Sequence, residues 1–274
     1  MPGKTIGFIT DLGIDDDAVG MCKGMMLAIS PESQIVDITH SVTPFDVVEA
    51  AHYMADLPDF FPDDAVIACI VYPETGVGPC VVVRNSKGQL YVVPDNGVVT
   101  LVVDASGFDG AWEIQCPDVQ RYPPTPSFCG RDVVAACAAH LAAGVSPEDV
   151  GPPRDEIAEL PFRRPELNGD GRLVGEIAVI DKNFGNVWTN IPLELCRRAG
   201  ILDAPALELE IGGQRYRWPF RKTFGEVGEG EPLAFFNSRD RLAFALNQGS
   251  LAERIGDVKG LEIHVRPVAV AVAA

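Results

Sequence analysis

Several common signatures are missing from this 274-residue chain, and each absence closes a class of function. No G-x-S-x-G, P-loop or G-x-G-x-x-G occurs, which removes the usual sequence signs of serine hydrolases, phosphate-cradling loops and dinucleotide binding. Histidine is scarce: His40, His52, His140 and His264 show no H-E-x-x-H or other paired spacing, so each reads as a structural side chain rather than a ligand. The seven cysteines (Cys22, Cys69, Cys80, Cys116, Cys129, Cys137, Cys196) form an odd count without a C-x-x-C pair. That argues against both a disulfide framework and a zinc site, and no metal is expected. Positive charge is short as well, with 22 Lys and Arg against 39 Asp and Glu and a formal charge of −17. So acidic a chain repels polyphosphate and anionic headgroups, which excludes nucleic acid and membrane surfaces as partners. No apolar run approaches a membrane span, and the opening MPGKTIGFIT reaches Asp11 too soon for a signal peptide, so a cytoplasmic protein is expected.

What is present is apolar enough, at 47% hydrophobic residues, to bury a sizeable core, and the length suggests two domains. Thr5–Thr10, Gln34–Ile38 and Ala65–Val71 read as buried strands. Between them, Ala18–Ser30 and Phe45–Leu57 carry helical spacing, the second with Thr43 as N-cap and Pro44 in the first turn. The alternation predicts a largely parallel sheet with crossover helices. Leu90–Val93 and Val98–Val103 flank Pro94-Asp95-Asn96-Gly97, a hairpin signal, so the sheet is expected to be mixed. The alanine-rich Arg131–Ala143 stretch predicts a helix ending at Gly144. Proline, glycine and charge then accumulate, which sets an N-terminal α/β domain at 1–152, a linker at 153–164 and a C-terminal domain of short strands, a small β-barrel or sandwich, at 165–274. The strands expected in the latter are Val174–Ile180, Ala206–Ile211, Leu233–Phe236 and Glu262–Val265.

Five segments combine chemistry-bearing residues with loop positions. Asp11 and Asp15–Asp17 lie just past a strand end, where open α/β sheets place ligands. They are a solvated acidic loop, a grip for sugar hydroxyls, or a calcium site like the D-T-D-P-G-x-D-D-A opening of nucleoside hydrolases. In the last case Ile9 replaces the first carboxylate. Tyr72-Pro73-Glu74-Thr75-Gly76 follows another strand. Thr125–Gly130 leads into the Arg131 helix, aiming free N–H groups and the positive end of the helix dipole at whatever sits before it, or forms an ordinary capped helix start. Asp181–Asn190 and Phe236–Arg239 hold carboxylate, amides and rings suited to an amino group and a heteroaromatic ring.

In order, the segments FITDLGIDDDAV, CKGMM, VDITHSVTPFDV, YPETG, PDNG, SFCGRDVVAACAAHLAAG, IDKNFGNVWTNI, KTFGEV and NSR resemble the superfamily of SAM-dependent halogenases and SAM hydroxide adenosyltransferases, SAM being S-adenosyl-L-methionine. The resemblance runs nearly end to end and implies an N-terminal α/β domain and a C-terminal β-barrel-like domain. It also implies a homotrimer or dimer of trimers with sites between neighbouring subunits.

Carried over by that resemblance, Asp11 takes the ribose hydroxyls, and Asp16, Asp17, Ala18 and the ring of Phe45, which is Trp in the fluorinase, line the ligand. Ser127, Phe128 and Cys129 lie beside it, Asp181 meets the methionine ammonium, Asn186 the adenine edge, and Phe184 and Phe224 its faces. Ser238, Arg239, Asn247 and Gln248 hold polar ends. Tyr72, Thr75 and Gly130 surround the nucleophile. The superfamily's hydrolases place Asp, Arg and His there; this chain has Tyr72, Val77-Gly78-Pro79-Cys80 and Cys129 instead. A halide needs no base, only desolvation and in-line placement.

Gly130, a Ser in the fluorinase and Gly in the chlorinase, implies a chlorinase that makes 5′-chloro-5′-deoxyadenosine, the missing side chain leaving room for the larger ion. Cys129 departs from both, which have Tyr. A SAM hydrolase, a fluorinase, a calcium-dependent nucleoside hydrolase and a non-catalytic SAM-binding protein are the alternatives.

Overall fold

The computed structural model describes residues 3–268 and divides into two compact units between Leu160 and Pro161. In the first unit, β1 (Thr5–Thr10), β2 (Gln34–Thr39), β3 (Val66–Ile70), β4 (Cys80–Arg84), β5 (Leu90–Pro94), β6 (Gly110–Glu113) and β7 (Pro153–Arg154) form one sheet in the order β2-β1-β3-β5-β4-β6-β7. The neighbours from β2 to β5 run parallel, and β4, β6 and β7 add antiparallel pairs, so the sheet is mixed as expected. Alternation along β3 separates two cores. Val66, Ala68 and Ile70 face α1 (Ala18–Ile29) and the helix near residue 136, whereas Ile67 and Cys69 face the opposite helical layer.

That opposite layer contains α2 (Val47–Met54), α3 (Leu57–Phe60) and α4 (Thr100–Ser106). α2 starts two residues later than its spacing predicts. Phe45 takes a positive φ of 70°, which breaks the helix, and Asp46, not Thr43, accepts the Glu49 N–H as N-cap at 2.8 Å. Thr43, exposed at the surface, donates its hydroxyl to the buried Glu49 carboxylate at 2.8 Å.

The expected hairpin at Asn96-Gly97 is absent. Asn96 donates its side-chain amide to Val71 O, Gly97 takes φ 85°, and the chain enters α4, where Val102 and the residues just before the helix, Val98 and Val99, are buried with helical rather than alternating spacing. The antiparallel hairpin lies one strand earlier, β4 to β5, turned by Asn85.

The Arg131–Ala143 helix is present with a wide first turn. A 3₁₀ turn at Pro126–Phe128 runs through Cys129 into a π-turn at Gly130–Ala135, followed by α5 (Ala136–Ala142). Such turns gather at functional sites.

The second unit is a nearly closed, antiparallel, barrel-like sheet. It runs β12-β11-β15-β9-β10-β14-β13, with β8 beside β9. The strands are β8 (Glu166–Leu167), β9 (Leu173–Ile180), β10 (Val187–Pro192), β11 (Ala206–Ile211), β12 (Gln214–Pro219), β13 (Pro232–Phe236), β14 (Arg241–Leu246) and β15 (Glu262–Pro267). α6 (Leu193–Arg198) and α7 (Leu251–Ile255) cap it. A bridge from Phe220 to Ala234 brings the two ends of the sheet together. Alternating inward residues such as Leu207, Leu209 and Ile211 fill its core with Trp218 and Phe244.

Candidate active site

In the first unit the candidate residues gather past the C-terminal ends of β1 and β3. Asp11 leaves β1 with its N–H bonded to Ile70 O at 3.3 Å, and its Oδ2 accepts the Phe45 N–H at 2.8 Å. The carboxylate therefore holds the loop that presents the Phe45 ring, which stays 70% exposed on a left-handed backbone that a bulky residue seldom adopts. Behind Asp11, Thr10 Oγ1 accepts the Leu12 N–H and shares a hydrogen bond with His40 Nδ1 at 3.0 Å. His40 Nε2 stands 3.1 Å from Asp37, which also takes Lys23 at 2.6 Å. Burial alone would raise the Asp37 pKa, but the hydrogen bonds from Lys23 and His40 outweigh it and bring it below the usual value. Asp16 accepts the Ala18 N–H, opening α1, while Asp17 precedes the helix without a side-chain cap bond.

Past β3, the Tyr72 hydroxyl donates to Val77 O at 2.7 Å and Gly78 O at 3.0 Å, folding the loop that carries Thr75 back on itself. A Cβ at Gly76 would come within 2.6 Å of Pro126 O, so this loop lies directly against the Thr125–Cys129 segment. The Cys129 thiol points to Pro126 O at 3.6 Å and Thr125 O at 3.8 Å. Burial, with help from neighbouring acidic groups, pushes up the pKa values of Tyr72 and Cys129 and takes Cys80 to about 12, so all three are neutral at pH 7. Phe128 lies under the Arg131 guanidinium, 4.8 Å from ring centroid to carbon, and Ser127 is exposed.

Gly130 is buried, and the direction its Cβ would take is filled: Ile70 Cγ2 would lie 2.5 Å away. The expectation that the missing side chain leaves free room is corrected here. Glycine at this position is first a packing requirement.

The second unit has a cavity of about 1150 Å³ lined by Asp181, Phe184, Asn186, Phe224, Ser238, Asn247 and Gln248, together with Trp188, Phe235 and Phe236. Phe184 is 68% exposed, and Phe224 packs on Phe235 at 4.9 Å between centroids. Asp181 Oδ1 accepts the Asn183 and Phe184 N–H groups and Oδ2 accepts the Asn186 amide at 3.3 Å, so the carboxylate organises the turn that presents its own neighbours. Asn247 spends its side-chain amide on Val227 O at 2.9 Å. Arg239 stands outside this lining, its guanidinium 5.4 Å from the Trp188 ring centroid.

The segment expected as one long loop is a loop only to Asn186; β10 begins at Val187, which gives Trp188 a fixed strand position beside the cavity. Trp188 belongs to the segment that its sequence marks as ligand-binding, whereas reading by motif missed Phe235, although the aromatic content of LAFF was its signal. Among the described residues, no group of three or more His, Cys, Asp or Glu stands ready to hold a metal, and no helix is long and apolar enough to cross a membrane.

Fold and lining together define the class: a two-unit protein, mixed α/β followed by a barrel-like β unit, with an aromatic, amide-bearing cavity of small-molecule size. The comparison with known proteins narrows it. The family model for the SAM hydroxide adenosyltransferase N-terminal domain matches residues 6–151, and that for the C-terminal domain matches 175–264. A fluorinase from Nocardia brasiliensis is 38% identical, over 95% of this chain and 96% of that protein. An (R)-S-adenosyl-L-methionine hydrolase from Thermus thermophilus is 32% identical over 96% of this chain and 99% of its own. The crystal structure of an uncharacterised conserved protein from Thermotoga maritima superposes with a TM-score of 0.91 at 33% identity, covering 95% of this chain and 99% of that one. The chain belongs to the SAM hydroxide adenosyltransferase family, whose members include SAM-cleaving enzymes of both the halide-using and the hydrolysing kind.

Proposed function

We propose that this protein is a SAM:chloride adenosyltransferase. A chloride lone pair forms the bond to the 5′ carbon, the carbon–sulfur bond breaks, and its electron pair neutralises the sulfonium, releasing L-methionine and 5′-chloro-5′-deoxyadenosine. Asp11 accepts the ribose hydroxyls, with Asp16, Asp17, Ala18, Phe45, Ser127, Phe128 and Cys129 around it. The barrel-like unit holds adenine between Phe184 and Phe224 with Asn186 at its edge. Asp181 faces the ammonium, and Ser238, Arg239, Asn247 and Gln248 hold polar ends. Tyr72, Thr75 and the Gly130 backbone bound the nucleophile.

The observation that carries this reading is the absence of a usable base among the groups at Tyr72, Cys80 and Cys129, which burial keeps protonated. Water attack needs a proton acceptor, and a halide does not. Of the nearby carboxylates, Asp95 is committed to Arg154 at 3.2 Å and to the Ala158 N–H at 2.7 Å. Glu74 sits on the exposed side of its loop, and if it served as base the hydrolase reading would follow.

The test is product analysis. SAM with chloride, bromide, fluoride or no halide should give the chloro-nucleoside fastest, and added chelator should change nothing. Adenosine as the sole product whatever the salt would replace this reading with the hydrolase, and faster turnover of fluoride with a fluorinase. Metal-dependent cleavage of inosine or uridine would establish a nucleoside hydrolase, and tight SAM binding without turnover a sensor.

Asp11→Asn and Asp181→Asn should each weaken SAM in calorimetric titration by about tenfold or more, because hydrogen bonds to a charged acceptor are worth roughly 1.5–3 kcal/mol. Unchanged titrations would remove both residues from the binding site. The homotrimer or dimer of trimers implied by the resemblance belongs to the same proposal, and light scattering should return three or six chain masses.

A further inference from the structure

Ile70, the last residue of β3, fills the space that a side chain at position 130 would take. Ile70 is only 4% exposed and packs in the same core as Tyr72, Phe128 and Cys129. Its carbonyl accepts the Asp11 N–H at 3.3 Å, and its side chain faces Gly130, where a Cβ would meet Cγ2 at 2.5 Å, Cδ1 at 3.3 Å and Cγ1 at 3.4 Å. Cγ2 is a branch carbon fixed to the Cβ of a strand residue and does not swing aside as the tip of a long side chain would. A side chain at position 130 therefore requires Ile70 to move or to be smaller.

We propose that Ile70 is a specificity-determining residue that acts through Gly130. It keeps the helix start bare of a hydroxyl and backs it with methyl groups, so the anion site favours a large, weakly hydrated halide over fluoride. Fluoride gives up its water only for donors, and a wall of Ile70 methyls supplies none. The inference rests on the halide reading above and adds a residue outside the motifs that led to it.

A double-mutant cycle tests it, with SAM and each halide and with initial rates of halo-nucleoside formation as the readout. Gly130→Ser alone should lose about tenfold or more in chloride rate, as overpacking of a fitted site does. Gly130→Ser/Ile70→Ala should recover most of that loss and raise the fluoride-to-chloride rate ratio about threefold or more over wild type, because the serine now has room to offer its hydroxyl. Ile70→Val, which keeps both γ carbons, should leave the ratio as in wild type. Gly130→Ala/Ile70→Ala repeats the cycle with Cβ alone, for the case in which the serine double does not fold.

Thermal melting with and without SAM reads the same coupling independently of turnover. Rate and melting effects that simply add, or a halide ratio that stays constant across the cycle while wild type makes halo-nucleosides, overturn the proposal alone. Adenosine as the only wild-type product overturns the halide reading beneath it.

Discussion

Asp132→Ala is expected to cost about 3 kcal/mol in unfolding free energy, near the lower end of what breaking a buried ion pair costs. Asp132 is 0% exposed, and its carboxylate takes Arg131 Nε at 2.6 Å, Arg121 at 3.2 Å and the Thr125 N–H at 2.7 Å. Alanine would strand the mostly buried Arg131 guanidinium; Arg121 is half exposed and loses little. The same bonds hold the Arg121–Arg131 segment, which carries Ser127, Phe128 and Cys129, so SAM affinity should fall with stability. Asp132→Asn keeps an acceptor for Thr125 and should cost less. Urea unfolding with a SAM titration checks both, and a variant as stable as wild type would show that the bonds are not holding the segment.

Acid should reveal the same group. Burial alone would raise the Asp132 pKa, but the Arg131 hydrogen bond and the Thr125 N–H prevail and bring it to about 2. A depressed carboxylate contributes stability that is fully present above its unfolded value near 3.8 and is lost as pH falls toward 2. The difference in stability between wild type and Asp132→Asn should therefore narrow by roughly 2 kcal/mol between pH 6 and pH 2.

Periodicity reveals an element where one face is buried and hides it where burial is two-sided. Thr5–Thr10 and the strand from Val66 are continuous apolar runs that length and flanking turns identify. Val98–Val103 is also such a run, yet after the Asn96 bond to Val71 O and the left-handed Gly97 it enters a helix at Thr100. β10 was concealed because its first residues complete a loop motif, whereas β4 was legible, since CVVVR lies between the turn residues Gly78-Pro79 and Asn85–Gly88.

The site divides along similar lines. Polar residues at strand ends and loops, Asp11, Asp181 and Asn186, are visible because each stands in a cluster of carboxylates or of amides and rings just past a strand, where α/β and β units place ligands. Ile70 and Asp132 are not: one is a core aliphatic like its neighbours, and the other is a carboxylate beside an arginine in a helical stretch. What each does depends on which segment folds against it, and adjacency in sequence does not report that. Phe45 is intermediate, since its ring is visible in the motif but its left-handed backbone, fixed by Asp11, is not.

Gly185→Ala should damage SAM binding more than any single loss of a polar contact in the second unit. Gly185 has a φ of 65°, where a Cβ costs roughly 1 kcal/mol even in open space. Here the space is closed: the Cβ would fall on Ser250 Oγ, with Ser250 Cβ at 2.7 Å and Cα at 2.9 Å. The chain cannot yield easily on either side. Gly185 N–H is bonded to Asp181 O at 2.7 Å, Gly185 O takes the Ala252 N–H at 3.0 Å, and Ser250 caps α7 by accepting the Glu253 N–H at 3.2 Å. Strain and overpacking together amount to about 2–4 kcal/mol. The loop can relieve them only by moving Asp181, Phe184 and Asn186 away from their cavity positions. SAM affinity should fall about thirtyfold or more, at roughly 1.4 kcal/mol per tenfold, while the first unit keeps its fold. Ser250→Gly in the Gly185→Ala background removes two of the three clashing atoms but leaves the Cα and the left-handed strain, so it should restore binding only in part. Full affinity in Gly185→Ala, read by calorimetry, would mean that the turn from Asp181 to Asn186 does not form the ligand's binding surface.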